Sequence, residues 1–315
     1  MILTVTLNSA IDKVLLIDEF KPNFPMQAKK VLLSVGGKGL DSSVVLSHLG
    51  VKTIGLTFVA GENGRTLIEL LDGYEIIPEA IWVRGETRIC YVIAETNTGK
   101  VSHIKFGEML IDQDHVDQFM QVFTNRLSSC SWLICAGSIP KSLPNSFYGT
   151  LVQRAALAGV PTLVDTLESA SIEALPYKPA IVKMNWNEFE RTFNVKTTRL
   201  EDLFAVARQV FHQHHLENLV LTCGVDGIIA ITQEGIYHVR APLQKVVNAA
   251  GAGDGVSAAL VWRLSLGDRW VEALRWAGAT AAAVVLTEGT ADCNFRDVQN
   301  ILPHVVVKNL SETSV

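Results

Sequence analysis

The 315-residue chain has no surplus of positive charge: 27 Lys and Arg stand against 32 Asp and Glu, a net charge of −5. No block or stripe of like charge interrupts that balance. This argues against a nucleic-acid partner, which needs a basic surface to neutralise phosphates. Long apolar runs are also missing; none approaches the roughly 18 uncharged residues of a membrane span. The opening segment, MILTVTLNSAID, lacks a basic n-region and reaches Asp12 too early for a signal peptide. Cysteine is sparse. Cys90, Cys130, Cys135, Cys223 and Cys293 are odd in number and form no C-x-x-C pair. They read as reduced, mostly buried thiols of a cytoplasmic protein, and they argue against a zinc site. Repeats, low-complexity tracts and linkers are absent as well, so a single domain over residues 1–315 is expected.

What the chain does have is apolar material, 48% of its residues, enough for a substantial core. From about residue 130 short apolar runs alternate with helical patterns. Trp132–Ala136, Thr162–Val164, Ala180–Lys183 and Leu219–Thr222 read as strands, with helices at Ser146–Leu157 and Leu200–His212. That alternation predicts a parallel sheet covered on both faces. A hairpin, Ile228–Ile231 with Ile236–Val239, and two helices, Gly253–Leu266 and Arg269–Leu286, complete this part. The first third differs. Val14–Ile17, Lys30–Ser34, Ala80–Val83, Arg88–Ala94 and Val101–Phe106 are short strands, interrupted by helices at Asp41–Leu49 and Arg65–Leu71. A small sheet drawn from about 12–35 and 80–107, mounted on the larger one as a lid, is the simplest arrangement.

Three segments carry chemistry. In Asn248-Ala-Ala-Gly-Ala-Gly-Asp-Gly255, Gly251, Ala252 and Gly253 let backbone amides approach an anion where a helix begins. Asp254 beside them is either a general base or merely a helix cap, and the segment alone supports both. Gly36-Gly-Lys-Gly39 is a second glycine turn with one cation; it is not a Walker A loop. Lys183-Met-Asn-Trp-Asn-Glu188 places Asn185 and Glu188 three apart at a helix start. Such a pair suits water around Mg²⁺, although a capping box explains it fully. The run His212-Gln-His-His215 reads as a solvated helix face.

In this order the segments resemble the ribokinase-like sugar kinases of the phosphofructokinase B family, nearest the 1-phosphofructokinase and tagatose-6-phosphate kinase branch. The likeness runs from Thr6-Leu-Asn-Ser-Ala-Ile-Asp12 to Glu288-Gly-Thr290. It includes Thr87-Arg-Ile89, Ala136-Gly-Ser-Ile-Pro140, Asp165-Thr166 and Leu221-Thr-Cys-Gly-Val-Asp-Gly227. The resemblance implies a three-layer α/β/α fold with a mainly parallel central sheet and a small β-sheet lid. It implies ATP-dependent phosphorylation of a sugar phosphate, with Mg²⁺ and a homodimer joined through the lid. Asp254 would be the base, with Gly251, Ala252 and Gly253 as anion hole. Asp12, Gly37, Lys38 and Asp41 would hold the sugar, and Arg88 its phosphate. Lys183, Asn185, Thr222, Gly224, Gly227 and Gly289 would lie about ATP, and Asn185 and Glu188 would organise Mg²⁺. An unphosphorylated sugar or nucleoside, and a non-catalytic sugar-phosphate-binding regulator, are the alternatives.

The chain departs from the family pattern at telling places. Asp41 and Lys105 each put a charge where the family has asparagine, and Met184, Ala249 and Gly255 are also atypical. Two readings of the charged pair are open. Either they meet across the closing lid, or Asp41 caps its helix while Lys105 faces solvent.

Overall fold

The computed structural model describes residues 1–310. A ten-stranded sheet forms its middle layer, running in spatial order Ile76–Trp82, Thr53–Val59, Ile2–Thr6, Trp132–Ala136, Thr162–Asp165, Ile181–Asn185, Leu219–Thr222, Ile228–Ile231, Ile236–Arg240 and Val306–Asn309. The first seven strands are parallel and the last three pairings antiparallel. Every residue of Ile2–Thr6 and Thr53–Val59 is buried, as expected of central strands covered on both faces. Helices Lys38–His48, Ala252–Ser265 and Trp270–Val284 cover one face. Gln113–Leu127, Phe147–Leu157, Trp186–Phe193 and Leu200–Gln213 cover the other. Ala273, Ala277 and Gly278 keep the surface of Trp270–Val284 low, so the helix lies close against its neighbours.

The lid is a separate four-stranded sheet, Lys30–Gly36, Ala10–Ile17, Arg88–Glu95 and Val101–Phe106. Its two middle strands are parallel, so segments far apart in sequence meet there. The expected lid strand at 80–83 belongs elsewhere: Ile76–Trp82 is the edge strand of the main sheet, paired with Thr53–Val59. An edge tolerates Pro78, which cannot donate to a ladder. One face of the lid carries a row from Ser34 through Asp12 and Cys90 to Lys105, each opposite the next. The other face exposes Val31, Leu33, Ile104 and Phe106.

Candidate active site

The helix Ala252–Ser265 starts at Gly251, whose φ of +86° is left-handed and whose absent Cβ would collide with the Ala291 backbone. No backbone carbonyl takes the amides of Gly253 and Asp254, so both remain open to an anion. Asp254 itself does not cap this helix; no side chain does. It is 7% exposed, and its Oδ1 has no hydrogen-bond partner among the described residues. Burial, reinforced by the negative charge of Asp165, pushes its pKa to about 7, against the pull of Lys183 and Lys38. The structure therefore presents a carboxylate free to accept a proton near neutral pH, held at a helix terminus whose first amides are open.

Asp165, at the end of strand Thr162–Asp165, organises the neighbouring cations. It is fully buried and takes Lys38 Nζ on one oxygen at 2.6 Å and Lys183 Nζ on the other at 2.7 Å. Burial alone would raise its pKa; the two lysines outweigh that and hold it down at about 2. Lys38 also donates to Glu188 at 2.9 Å. Burial would depress Lys38, but Asp165, Glu188 and Asp254 keep it above the ordinary lysine value. Lys38 thus sits in this network with two of its three donors engaged. A Cβ at Gly253 would lie 2.9 Å from Lys183 Nζ, so the lysine reaches the helix start through the space glycine leaves. Nothing in spacing or composition singles Asp165 out, beyond an acid that ends a buried strand.

Asn185 and Glu188 form a reciprocal capping box. Asn185 Oδ1 accepts from the Glu188 N–H at 2.8 Å, and Glu188 Oε2 accepts from the Asn185 N–H at 2.9 Å. The box turns Glu188 Oε1 toward Lys38.

The lid contributes the other side. Asp12, Arg88, Cys90 and Lys105 share one face. Burial raises Asp12 to about 6, although Thr290, Arg88 and Lys105 oppose the rise. Arg88 Nη2 donates to the Asn8 carbonyl at 2.8 Å, while its buried Nε has no partner among the described residues. The charge of Lys105 is felt at Asp12, and among the described residues no ion pair joins Lys105 to Asp41. Neither reading of Asp41 and Lys105 from sequence holds in full. The helix starts at Lys38 with Gly37 as its N-cap, so Asp41 lies inside the first turn and caps nothing. It is 5% exposed with Oδ1 unpartnered. Lys105 is exposed, as its solvent-facing alternative required, yet it stands in the same row as Asp12.

Beside Gly253 opens a cavity of about 390 Å³, lined by Thr222, Gly224, Gly227 and Asn185 and by apolar residues including Val246, Val256 and Ala282. Gly224 and Gly227 both adopt positive φ, and a Cβ at Gly227 would strike the Val239 carbonyl. Gly289 does not line this cavity. It packs against Ser34 of the lid and Asp292, and its carbonyl accepts from Asn248 Nδ2 at 3.3 Å.

A family model described as pfkB family carbohydrate kinase matches residues 3–296. A 1-phosphofructokinase of Bacillus subtilis is 27% identical over 310 residues, covering 98% of this chain and all of its own. A Thermotoga maritima structure, provisionally assigned as a 1-phosphofructokinase, superposes with a TM-score of 0.88 at 25% identity, covering 98% of this chain and 99% of its own. Escherichia coli phosphofructokinase-2, solved with substrates and products, is similar in fold: TM-score 0.86, 22% identity, 96% of this chain and 98% of its own.

Proposed function

Because the chain belongs to the pfkB family of carbohydrate kinases, we propose that it transfers the γ-phosphoryl group of ATP to a hydroxyl of a small sugar phosphate, of the fructose 1-phosphate or tagatose 6-phosphate type, with Asp254 as general base. That it is an ATP-dependent carbohydrate kinase follows from the family and the full-length likeness to a 1-phosphofructokinase. The observation that carries the finer reading is the unpartnered Oδ1 of Asp254 at the amide-lined helix start.

Phosphoryl transfer depends on positioning and charge stabilisation more than on covalent chemistry. The cavity beside Gly253 suits a nucleotide, its apolar wall taking the base and the Gly224–Gly227 turn passing close to the ribose and phosphates. Lys183 and the amides of Gly253 and Asp254 would receive oxygens of the migrating group. Asp254 accepts the proton of the attacking hydroxyl. Arg88, with Nε open, grips the phosphate the sugar already carries, and its planar fork can hold two oxygens at once. The lid face bearing Asp12 and Lys105 excludes water as the site closes.

The donor set also suits Mg²⁺ held through water. The side-chain oxygen of Asn185 and each oxygen of Glu188 accept one protein hydrogen bond apiece, which leaves each a second lone pair for a metal-bound water. When bound, the ion would neutralise charge on the ATP phosphates. Val31, Leu33, Ile104 and Phe106, exposed on the outer lid face, favour a homodimer built lid to lid. The acidic balance and reduced cysteines fit a cytoplasmic location.

A coupled ADP-release assay over fructose 1-phosphate, fructose 6-phosphate, tagatose 6-phosphate, fructose and ribose tests the substrate class. The phosphorylated ketoses should turn over with the highest kcat/KM. Better turnover of fructose or ribose would refute it.

A further inference from the structure

Within this site the charges do not balance. Lys38 and Lys183 are already paired with Asp165 and Glu188. Asp12 and Asp41 share Arg88, one of whose nitrogens is already engaged by Asn8, with the exposed Lys105 felt at Asp12, and Asp254 has the two lysines that Asp165 and Glu188 already hold. All three carboxyls are at most 7% exposed. A third anion there has no cation of its own, and the arriving sugar phosphate would add more negative charge. Asp41 is the worst placed. It lies in the first turn of Lys38–His48, which packs against the helix that carries Asp254, with Ser42 Oγ donating to the Asp254 carbonyl at 3.4 Å.

We propose that Asp41 works as a neutral carboxylic acid, and that its hydroxyl donates a hydrogen bond to an oxygen of the bound sugar. The inference rests on the sugar-phosphate kinase reading above. The groups that bear on Asp41 come from every side: Asp254 from the facing helix, Asp12, Arg88 and Cys90 from the lid, and Tyr74 from beyond the helix Gly61–Leu71. Burial, Asp254 and Asp12 all disfavour its ionisation; only the Gly37 backbone and Arg88 oppose them, and the balance lies well above the ordinary aspartate value. A neutral acid offers one donor, as an asparagine amide offers two, whereas an ionised carboxylate can only accept. The aspartate therefore keeps a donating role that an ionised carboxylate would forfeit. It also narrows the choice of substrate, because a single O–H has one direction where an amide has two.

The test compares wild type with Asp41→Asn and Asp41→Ala in two readouts. In the unliganded protein at pH 8, infrared difference spectra should show the carbonyl stretch of a protonated carboxylic acid, lost in Asp41→Asn. This readout needs no substrate and stands even if the kinase reading fails, which a sugar panel without turnover would reveal separately. In turnover, wild-type kcat/KM for the sugar phosphate should fall at high pH as Asp41 ionises. Asp41→Asn should abolish that fall and leave the rising limb near pH 7 where it was, since no charge has been removed. Asp41→Ala should lower kcat/KM at least about 10-fold, with Asn recovering most of the loss. The proposal is overturned by a pH 8 spectrum that Asp41→Asn leaves unchanged. It is equally overturned if Asp41→Asn moves the rising limb to lower pH, because that shift would mean a negative charge had stood beside Asp254.

Discussion

Replacing Asp254 by Asn should make the unliganded protein more stable while removing most of its activity. The unfolded side chain titrates at the ordinary value of 3.8, the folded one at about 7. Below pH 3.8 the carboxyl is protonated in both states and costs nothing. Between the two values the folded state holds a proton that the unfolded state has released, so stability falls as pH rises. Above pH 7 the full cost is present: about 4 kcal/mol, at ~1.4 kcal/mol per pH unit. An asparagine escapes it, and because Asp254 Oδ1 has no hydrogen-bond partner, the amide forfeits none there. Thermal unfolding from pH 4 to pH 8 is the assay. The variant should match wild type near pH 4 and exceed it by roughly 5–8 °C at pH 8, at about 2 °C per kcal/mol for a chain of this size. Its kcat should fall about 100-fold or more while ATP binding persists. A variant no more stable than wild type at pH 8 would refute the claim that Asp254 is a desolvated, strained base. Near-native kcat would refute its role in catalysis.

Other perturbations probe the same site. Arg88→Ala should raise KM for the sugar phosphate steeply and leave KM for ATP nearly unchanged, and Arg88→Lys should recover little, since an ammonium cannot copy the bidentate fork; equal rises in both KM values would assign Arg88 another role. Lys183→Met removes a cation that holds the Asp254 pKa down, so the rising limb of the kcat profile should move up by about one pH unit; an unmoved limb would disconnect the two residues. Gly251→Ala should lower stability by about 2 kcal/mol or more and cripple turnover, since its φ of +86° and the Ala291 backbone leave no place for a methyl group. A melting temperature unaltered by that change would contradict the geometry at the helix start.

Much of this molecule was readable before any coordinates. The continuous apolar runs Trp132–Ala136 and Leu219–Thr222 read as strands and are strands, and the glycine-rich segment before Ala252–Ser265 marked a helix start. What escaped was set by tertiary context. Ile76–Trp82 reads locally like its lid neighbours, and only its pairing with Thr53–Val59 assigns it to the main sheet. The start of Lys38–His48 was misjudged because Gly-Lys-Gly looks like a turn, yet Gly37 alone makes the bend and the helix follows at once. Asp165 enters the sequence only as part of the family-like pair Asp165-Thr166, with no role assigned, because its importance lies in two lysines brought to it from residues 38 and 183. The protonation of Asp41 is likewise a property of three carboxyls assembled from separate segments.

The parallel pairing inside the lid also has a bearing on how the protein comes to be folded. Ala10 stands opposite Arg88, and the chain between them supplies Thr53–Val59 and Ile76–Trp82 to the main sheet. The ends of that long segment meet only at the entropic cost of closing the loop, which the strands laid down between them largely defray. The central sheet should therefore assemble first and the lid last. Arg88, held on the last strand pair to close, then reaches its place only on a scaffold already built. A kinetically trapped chain whose lid has not yet paired would hold a formed main sheet without a place for the sugar, and refolding followed by Trp fluorescence should reach its plateau before sugar-dependent turnover returns.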